Sequence, residues 1–225
     1  MPGRATPLIN DQIYHVFNRG INRQPTFIIK KDHTRAKLAI YFYRFAKPPL
    51  KLSRYLTLDD NRKEVVDKIL RQSPKLVDII SYCLMPNHFH FLLRQTSDKG
   101  ISTFIGNFQN SYTRYFNIKH DRDGSIFLDQ FKAVRIETEE QLLHVSRYIH
   151  LNPLTGYVVK TKEELEAYPW SSFLDFLEKN DEVIEINSIL DLISQNIKEY
   201  KKFIFDQASY QRELKDIGYL LIENP

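Results

Sequence analysis

Ile13–Asn18 (IYHVFN) alternates in hydrophobicity and ends at Arg19-Gly20, the pattern of a half-buried strand running into a loop. From Asp32 to about Phe45 the period changes. Ala36, Ile40 and Tyr43 recur at i, i+4 and i+7, which predicts a helix with Asp32 at its N-cap and Pro48-Pro49 as its stop. Val77–Met85 (VDIISYCLM) and His88–Arg94 (HFHFLLR) are apolar, β-rich runs separated only by Pro86-Asn87, the signature of a hairpin. Ile101 to about Lys119 places Ile101, Phe104, Ile105, Phe108, Tyr112 and Tyr115 at helical spacing. Phe131–Ile136 reads as a strand and Glu139–Asn152 as a helix ended by Pro153.

The order strand, helix, hairpin, helix, strand predicts an α+β fold, a ferredoxin-like βαββαβ sandwich with an antiparallel sheet and one extra helix at its end. The expected division is a domain over 1–175, with residues 46–75 inserted on its surface around one short helix near Lys63–Arg71. Residues 176–225 would form an acidic helical C-terminal appendage, with helices near Ile186–Phe205 and Tyr210–Leu221. No repeat or low-complexity tract interrupts this order.

Composition narrows the class. Fifteen Phe and 13 Tyr in 225 residues supply an ample core, so wholesale disorder is excluded. A single cysteine, Cys83, excludes a disulfide framework and a multi-cysteine zinc or iron–sulfur site. No apolar run approaches the roughly 18–20 residues of a membrane span, and no apolar signal segment opens the chain, so a soluble intracellular protein is expected. The net charge of +4 hides an asymmetry: residues 1–160 hold 25 Lys/Arg against 14 Asp/Glu, whereas residues 161–225 hold 7 against 14. A basic body with an acidic tail suits a polyanionic partner, although uneven surface charge alone has the same appearance.

His88-Phe89-His90 is the sharpest chemical feature. In a strand both imidazoles leave one face while Phe89 enters the core, giving a ready pair of metal ligands. Two ordinary polar residues on an exposed face would read identically. On the helix Glu139–Asn152, His144, Tyr148 and Asn152 fall at i, i+4 and i+8, opposite an apolar face of Leu142, Val145 and Ile149. An amide oxygen one turn from a tyrosine hydroxyl suits a metal-assisted nucleophile; equally, Tyr148 could be an interface residue and Asn152 a C-cap. His144 is expected to be solvated, and His15 and His150 are weak as metal ligands. Tyr112 and Tyr115, within an apolar stripe, are expected to be core rather than rival nucleophiles.

Together these residues resemble a known family. Leu84-Met85-Pro86-Asn87-His88-Phe89-His90 is similar to the LMPNHxH signature of the single-tyrosine HUH transposases (IS200-like). Tyr14–Gly20 (YHVFNRG), Arg147–Pro153 (RYIHLNP) and Trp170–Phe173 (WSSF) resemble that family's other blocks in the same order, over roughly residues 11–175. The branch most similar is the REP-associated tyrosine transposases.

The resemblance implies that His88, His90 and Asn152 bind Mg²⁺ or Mn²⁺ and that Tyr148 attacks a phosphodiester in single-stranded hairpin DNA. The products would be a 5′-phosphotyrosine and a free 3′-hydroxyl. It further implies a nucleoid-associated cytoplasmic protein with no membrane partner. Insertion-sequence relatives use the tyrosine helix across a dimer. The REP-associated branch works as a monomer, the state expected here because the Ile136–Glu139 link is short.

Arg19, Arg23, Lys30, Lys31, Arg35, Lys132 and Arg135 are the candidate DNA-backbone contacts. Three features depart from the family pattern: Asp129-Gln130 stands where a glycine and a basic residue are usual, the Ala46–Lys75 stretch is longer than the usual helix-to-strand connection, and residues beyond 175 match no family block. The principal alternative is a domesticated hairpin-DNA binder or repressor without cleavage. A more distant one, an RNA-binding sandwich, would need exposed aromatics where the histidines stand.

Overall fold

The computed structural model describes residues 7–193 and 196–206. Among them, β1 (Ile13–Arg19), β2 (Val77–Met85), β3 (His88–Gln95) and β4 (Lys132–Ile136) form a four-stranded antiparallel sheet in the order β2-β3-β1-β4. With α1 (Lys30–Tyr43) between β1 and β2 and α4 (Gly100–His120) between β3 and β4, this is the expected ferredoxin-like topology. The connection from α1 to β2 carries α2 (Leu52–Tyr55) and α3 (Asp60–Gln72), the latter capped by Asp59, whose carboxylate accepts the Arg62 N–H at 2.9 Å. No helix among the described residues is long and apolar enough to cross a membrane.

Both faces of the sheet are covered. Alternation sends Tyr14, Val16, Phe89, Phe91 and Leu93 toward α1 and α4, where Phe89 and Phe91 meet Phe108 edge-on at 5.3 and 5.6 Å. Each such buried ring contributes about 1.5–3 kcal/mol. The opposite face lies under α5 (Glu139–Thr155), whose N-terminus is capped by Thr138 accepting the Gln141 N–H at 3.1 Å.

Three local expectations are revised. Asp32 is not the N-cap of α1 but its third residue: its carboxylate reaches back to the N–H groups of Ile28 and Ile29 at 3.2 and 3.1 Å. Burial alone would raise its pKa, but Lys119 at 2.6 Å, those amides and the Tyr115 hydroxyl outweigh it and hold the carboxyl below its usual range. Pro153 does not end α5, although it gives up the amide bond to the turn before it. The helix continues to Thr155 and closes when Gly156 N–H donates to the Asn152 carbonyl at 2.8 Å.

The single helix expected over Ile186–Phe205 is divided into α8 (Asn187–Leu190) and α9 (Ile197–Phe205), since Asn196 caps a new start by accepting the Lys198 N–H. The helix expected near Tyr210–Leu221 lies outside the described residues. Finally, α6 (Lys162–Glu166) and α7 (Phe173–Glu178) flank the Trp170–Ser172 segment, which adds to the free edge of β2. Leu84 N–H donates to the Trp170 carbonyl at 2.8 Å and Ser172 N–H to the Tyr82 carbonyl at 2.9 Å.

The hairpin turn between β2 and β3 is gripped by the chain leaving β1. Gly20 N–H donates to the Asn87 carbonyl at 2.7 Å, and the Thr26 and Phe27 amides share the Pro86 carbonyl at 2.8 and 2.9 Å. A Cβ on Gly20 would sit 2.3 Å from the Gln24 carbonyl oxygen, so only glycine lets this loop close. Gly20→Ala is therefore expected to lower stability by about 1–3 kcal/mol in urea unfolding, the usual cost of overpacking against backbone. Unchanged stability would show that the loop relaxes freely.

Candidate functional site

Strand register lays the predicted residues out in rows across the face beneath α5. Lys132, Phe17, His90 and Cys83 form one row; Val134, His15, Leu92 and Ser81 the next; Arg19, His88 and Met85 the one on the other side. The His88 and His90 rings are 5.0 Å apart, nearly perpendicular, as the two-residue period requires. Each ring is oriented through Nδ1: His88 by Asn87 Oδ1 at 2.6 Å, His90 by His15 Nε2 at 3.0 Å.

Tyr148 comes down from α5 onto this row. Its ring meets His90 edge-on at 5.4 Å and His15 at 5.9 Å, and the residue is 7% exposed. Asn152, one turn further and 3% exposed, lies toward the His88 row. A methyl placed on Gly156 would stand 2.8 Å from Met85 Cε and 3.9 Å from Asn152 Oδ1, and Met85 pairs with His88 across the hairpin. His88, His90, Tyr148 and Asn152 are thus gathered at one sheet–helix interface of one chain.

His15, judged weak from the sequence, belongs to this cluster as the buried partner of His90. Its alternation with Phe17 was visible, but only the β1–β3 pairing shows which histidine it meets. His144 is exposed and 3.6 Å from Glu140, as expected. The rival tyrosines lie on α4, across the sheet. Tyr112 is fully buried and donates to the Thr26 carbonyl at 2.6 Å, while Tyr115 donates to Asp32 at 2.8 Å. Burial raises both pKa values, and in Tyr115 burial together with the Asp32 carboxylate pushes it up to about 12, so neither readily becomes a phenolate.

The predicted cations separate. Arg19 and Lys132 lie on the histidine face, Lys132 exposed at its edge; Arg23, Lys30 and Lys31 are exposed on the segment that follows β1. Arg135 belongs to the opposite face and donates to Gln12 at 2.7 Å. Arg35 does not fit a surface contact. It is 8% exposed, packs over the Tyr115 ring and donates to Ser111 at 3.2 Å, because its position on α1 faces α4.

Two imidazoles with Nδ1 held by second partners, plus a buried amide oxygen, are a nitrogen and oxygen donor set suited to a divalent metal ion. Among the described residues no group of three or more His, Cys, Asp or Glu is gathered as a metal cage, so a cation here would have neutral protein donors.

The back of α5 carries a second buried network. His150 Nδ1 is 2.6 Å from the Tyr200 hydroxyl, His150 Nε2 is 2.8 Å from Ser172 Oγ, and Ser146 Oγ is 2.8 Å from the same Tyr200 hydroxyl. Ser172 Oγ also accepts the Tyr82 N–H at 2.8 Å, tying the WSSF segment, β2, α5 and α9 together. The groups facing His150 are these two hydroxyls and the rings of Phe173 and Phe176.

Comparison with known proteins agrees with the motifs. The family model described as "Transposase IS200 like" matches residues 52–152. No curated protein sequence matches the chain. Among solved structures it is similar to a REP-associated tyrosine transposase bound to a REP hairpin, with a TM-score of 0.55 at 16% identity, covering 83% of this chain and 90% of that one. It also aligns with a tRNA(His) guanylyltransferase from Saccharomyces cerevisiae at 15% identity over 92% of this chain and 82% of that one, but the TM-score of 0.31 carries no argument.

Burial pushes the His150 pKa down to about 3, well below the free-imidazole value of about 6.5. The unfolded chain therefore binds the extra proton first, and stability present above about pH 6.5 is lost as pH falls through the window down to about 3. Between about pH 5.5 and 4 the wild type is expected to lose up to about 1.4 kcal/mol per pH unit from this group, and about half that near pH 6.5. Chemical denaturation of His150→Gln should show a flatter pH slope; an unchanged slope would assign the acid sensitivity to other groups.

Proposed function

With an IS200-like transposase domain over residues 52–152 as the premise, we propose that this protein nicks and rejoins single-stranded DNA next to a hairpin, using Tyr148 as the nucleophile. The observation that carries the reading is the meeting of Tyr148 with His90 at 5.4 Å, at an interface that also holds His88 and Asn152. The hydroxyl oxygen of Tyr148 would form a bond to the scissile phosphorus while the bond from phosphorus to the 3′ oxygen breaks. The phenol proton is released and the departing 3′ oxygen gains one, leaving a 5′-phosphotyrosine and a 3′-hydroxyl. Attack by another 3′-hydroxyl reverses the step and joins strands, so no nucleotide hydrolysis is needed.

His88, His90 and Asn152 would hold Mg²⁺ or Mn²⁺. That ion, when bound, would draw charge from the non-bridging phosphate oxygens. His15 orients His90 by its 3.0 Å contact, and the edge-on packing of Tyr148 on both rings restricts its swing. Arg19 and Lys132, on the same face, would take the flanking phosphates, with Arg23, Lys30 and Lys31 extending that path. Arg35 is left out of this set because it is buried. The site is assembled within one chain, which supports a monomer acting in cis.

Calorimetric titration with Mn²⁺ should show one site in the wild type and none in a His88→Ala, His90→Ala double variant; equal binding would sink the ligand assignment. On denaturing gels with labelled hairpin DNA, Tyr148→Phe should abolish the covalent adduct yet retain hairpin binding, while Tyr112→Phe and Tyr115→Phe keep both. An adduct in Tyr148→Phe would move the nucleophile elsewhere. Hairpin binding with no adduct from the wild type would favour the binding-only protein.

A further inference from the structure

Residues beyond 175 match none of the motif blocks, yet one of them reaches the helix that carries Tyr148. Tyr200 on α9 is fully buried, and its hydroxyl contacts Ser146 at 2.8 Å and His150 at 2.6 Å. Those two residues stand two positions before and two after Tyr148. One direction of donation satisfies the whole set. Ser146 O–H donates to Tyr200, Tyr200 O–H to His150 Nδ1, and His150 Nε2–H to Ser172 Oγ, whose own proton goes to the Tyr82 carbonyl at 3.2 Å. Tyr200 therefore joins two successive turns of α5 and, through His150 and Ser172, links them to β2. The Arg147 guanidinium 3.5 Å above the Phe203 ring adds a contact between the same two helices.

We propose that Tyr200 is a positioning residue for the nucleophile. Its hydroxyl fixes the rotation of α5 about its own axis, and with it the aim of Tyr148 at the His88–His90 pair. The inference rests on the nicking reading for its consequence, though its geometric part does not. Edge-on packing against two imidazoles limits α5 to a few rotations, but within that range the ring contacts alone give little resistance to small turns. Directional hydrogen bonds on the opposite face supply that resistance, because turning α5 breaks two buried bonds at once. The C-terminal segment would thus act on the chemistry from the far side of the helix, without touching substrate.

Tyr200→Phe removes one oxygen and leaves the ring stacked on Phe176 at 4.8 Å. Ser146→Ala breaks the same network from α5 and serves if the first variant folds poorly. Three readouts are taken on the full chain at a temperature where thermal melts show every variant folded: imidazole NMR signals of His15 and His90, hairpin affinity by fluorescence anisotropy, and single-turnover adduct formation at saturating hairpin DNA with Mn²⁺.

Tyr200→Phe is expected to move the His15 and His90 ring signals and to leave hairpin affinity unchanged. The adduct rate should drop on the order of 10²-fold, the scale set by a misplaced reacting group. Adding Ser146→Ala should cost little more, since Tyr200→Phe has already removed the bond that Ser146 makes. Unmoved imidazole signals, or an unchanged rate in a wild-type-like reaction, would overturn the proposal, as would a loss confined to affinity. Moved signals in a protein whose wild type forms no adduct would leave the positioning role standing and remove the nicking reading instead.

Discussion

The arrangement turns on burying polar groups between the sheet and α5. His15 and His90 sit on a face that is covered rather than solvated, and a buried imidazole left without a hydrogen bond costs about 1–3 kcal/mol. Their contact at 3.0 Å meets that requirement for one nitrogen of each ring and fixes both orientations. Tyr148 and Asn152 must then fit a surface whose shape those rings have already set. An apolar sheet face would accept α5 in several rotations; a face with two oriented imidazoles accepts few.

The chain invests local structure in holding that face still. The turn carrying the histidine pair is clamped by Gly20, Thr26 and Phe27, so the loop after β1 and the β2–β3 hairpin move as one body. On the far side of the sheet Phe89 and Phe91 lock β3 into the aromatic core shared with α4. The histidines alternate with these anchors along the same strand. Their direction is therefore set by core packing, and a one-residue register slip would turn the imidazoles into the aromatic core and put the phenylalanines under α5.

The Trp170–Phe173 block shows how a motif can serve a site without entering it. Trp170 and Ser172 pair with the open edge of β2, and the Ser172 hydroxyl meets His150. These residues hold the back of α5 to the sheet edge. His150 is kept neutral there by burial, so it acts as a structural hydrogen-bonding group, and Tyr200 extends the same network into α9.

The sequence by itself determined the strands, the hairpin and the order of elements, because hydrophobic period and turn chemistry are local. It also determined that His88 and His90 share a face and that Tyr148 and Asn152 share a helix stripe, since both follow from the repeat of a single element. What only the tertiary structure decided are the relations between elements. His15 became the partner of His90 through the β1–β3 register, and Arg35 became an interior residue because its side of α1 meets α4. Pro153 was absorbed into the end of α5, which runs on to Thr155 and closes with the Gly156 amide on the Asn152 carbonyl. Tyr200 came to rest behind the proposed nucleophile 52 positions earlier in the chain, and no local pattern encodes a contact at that separation.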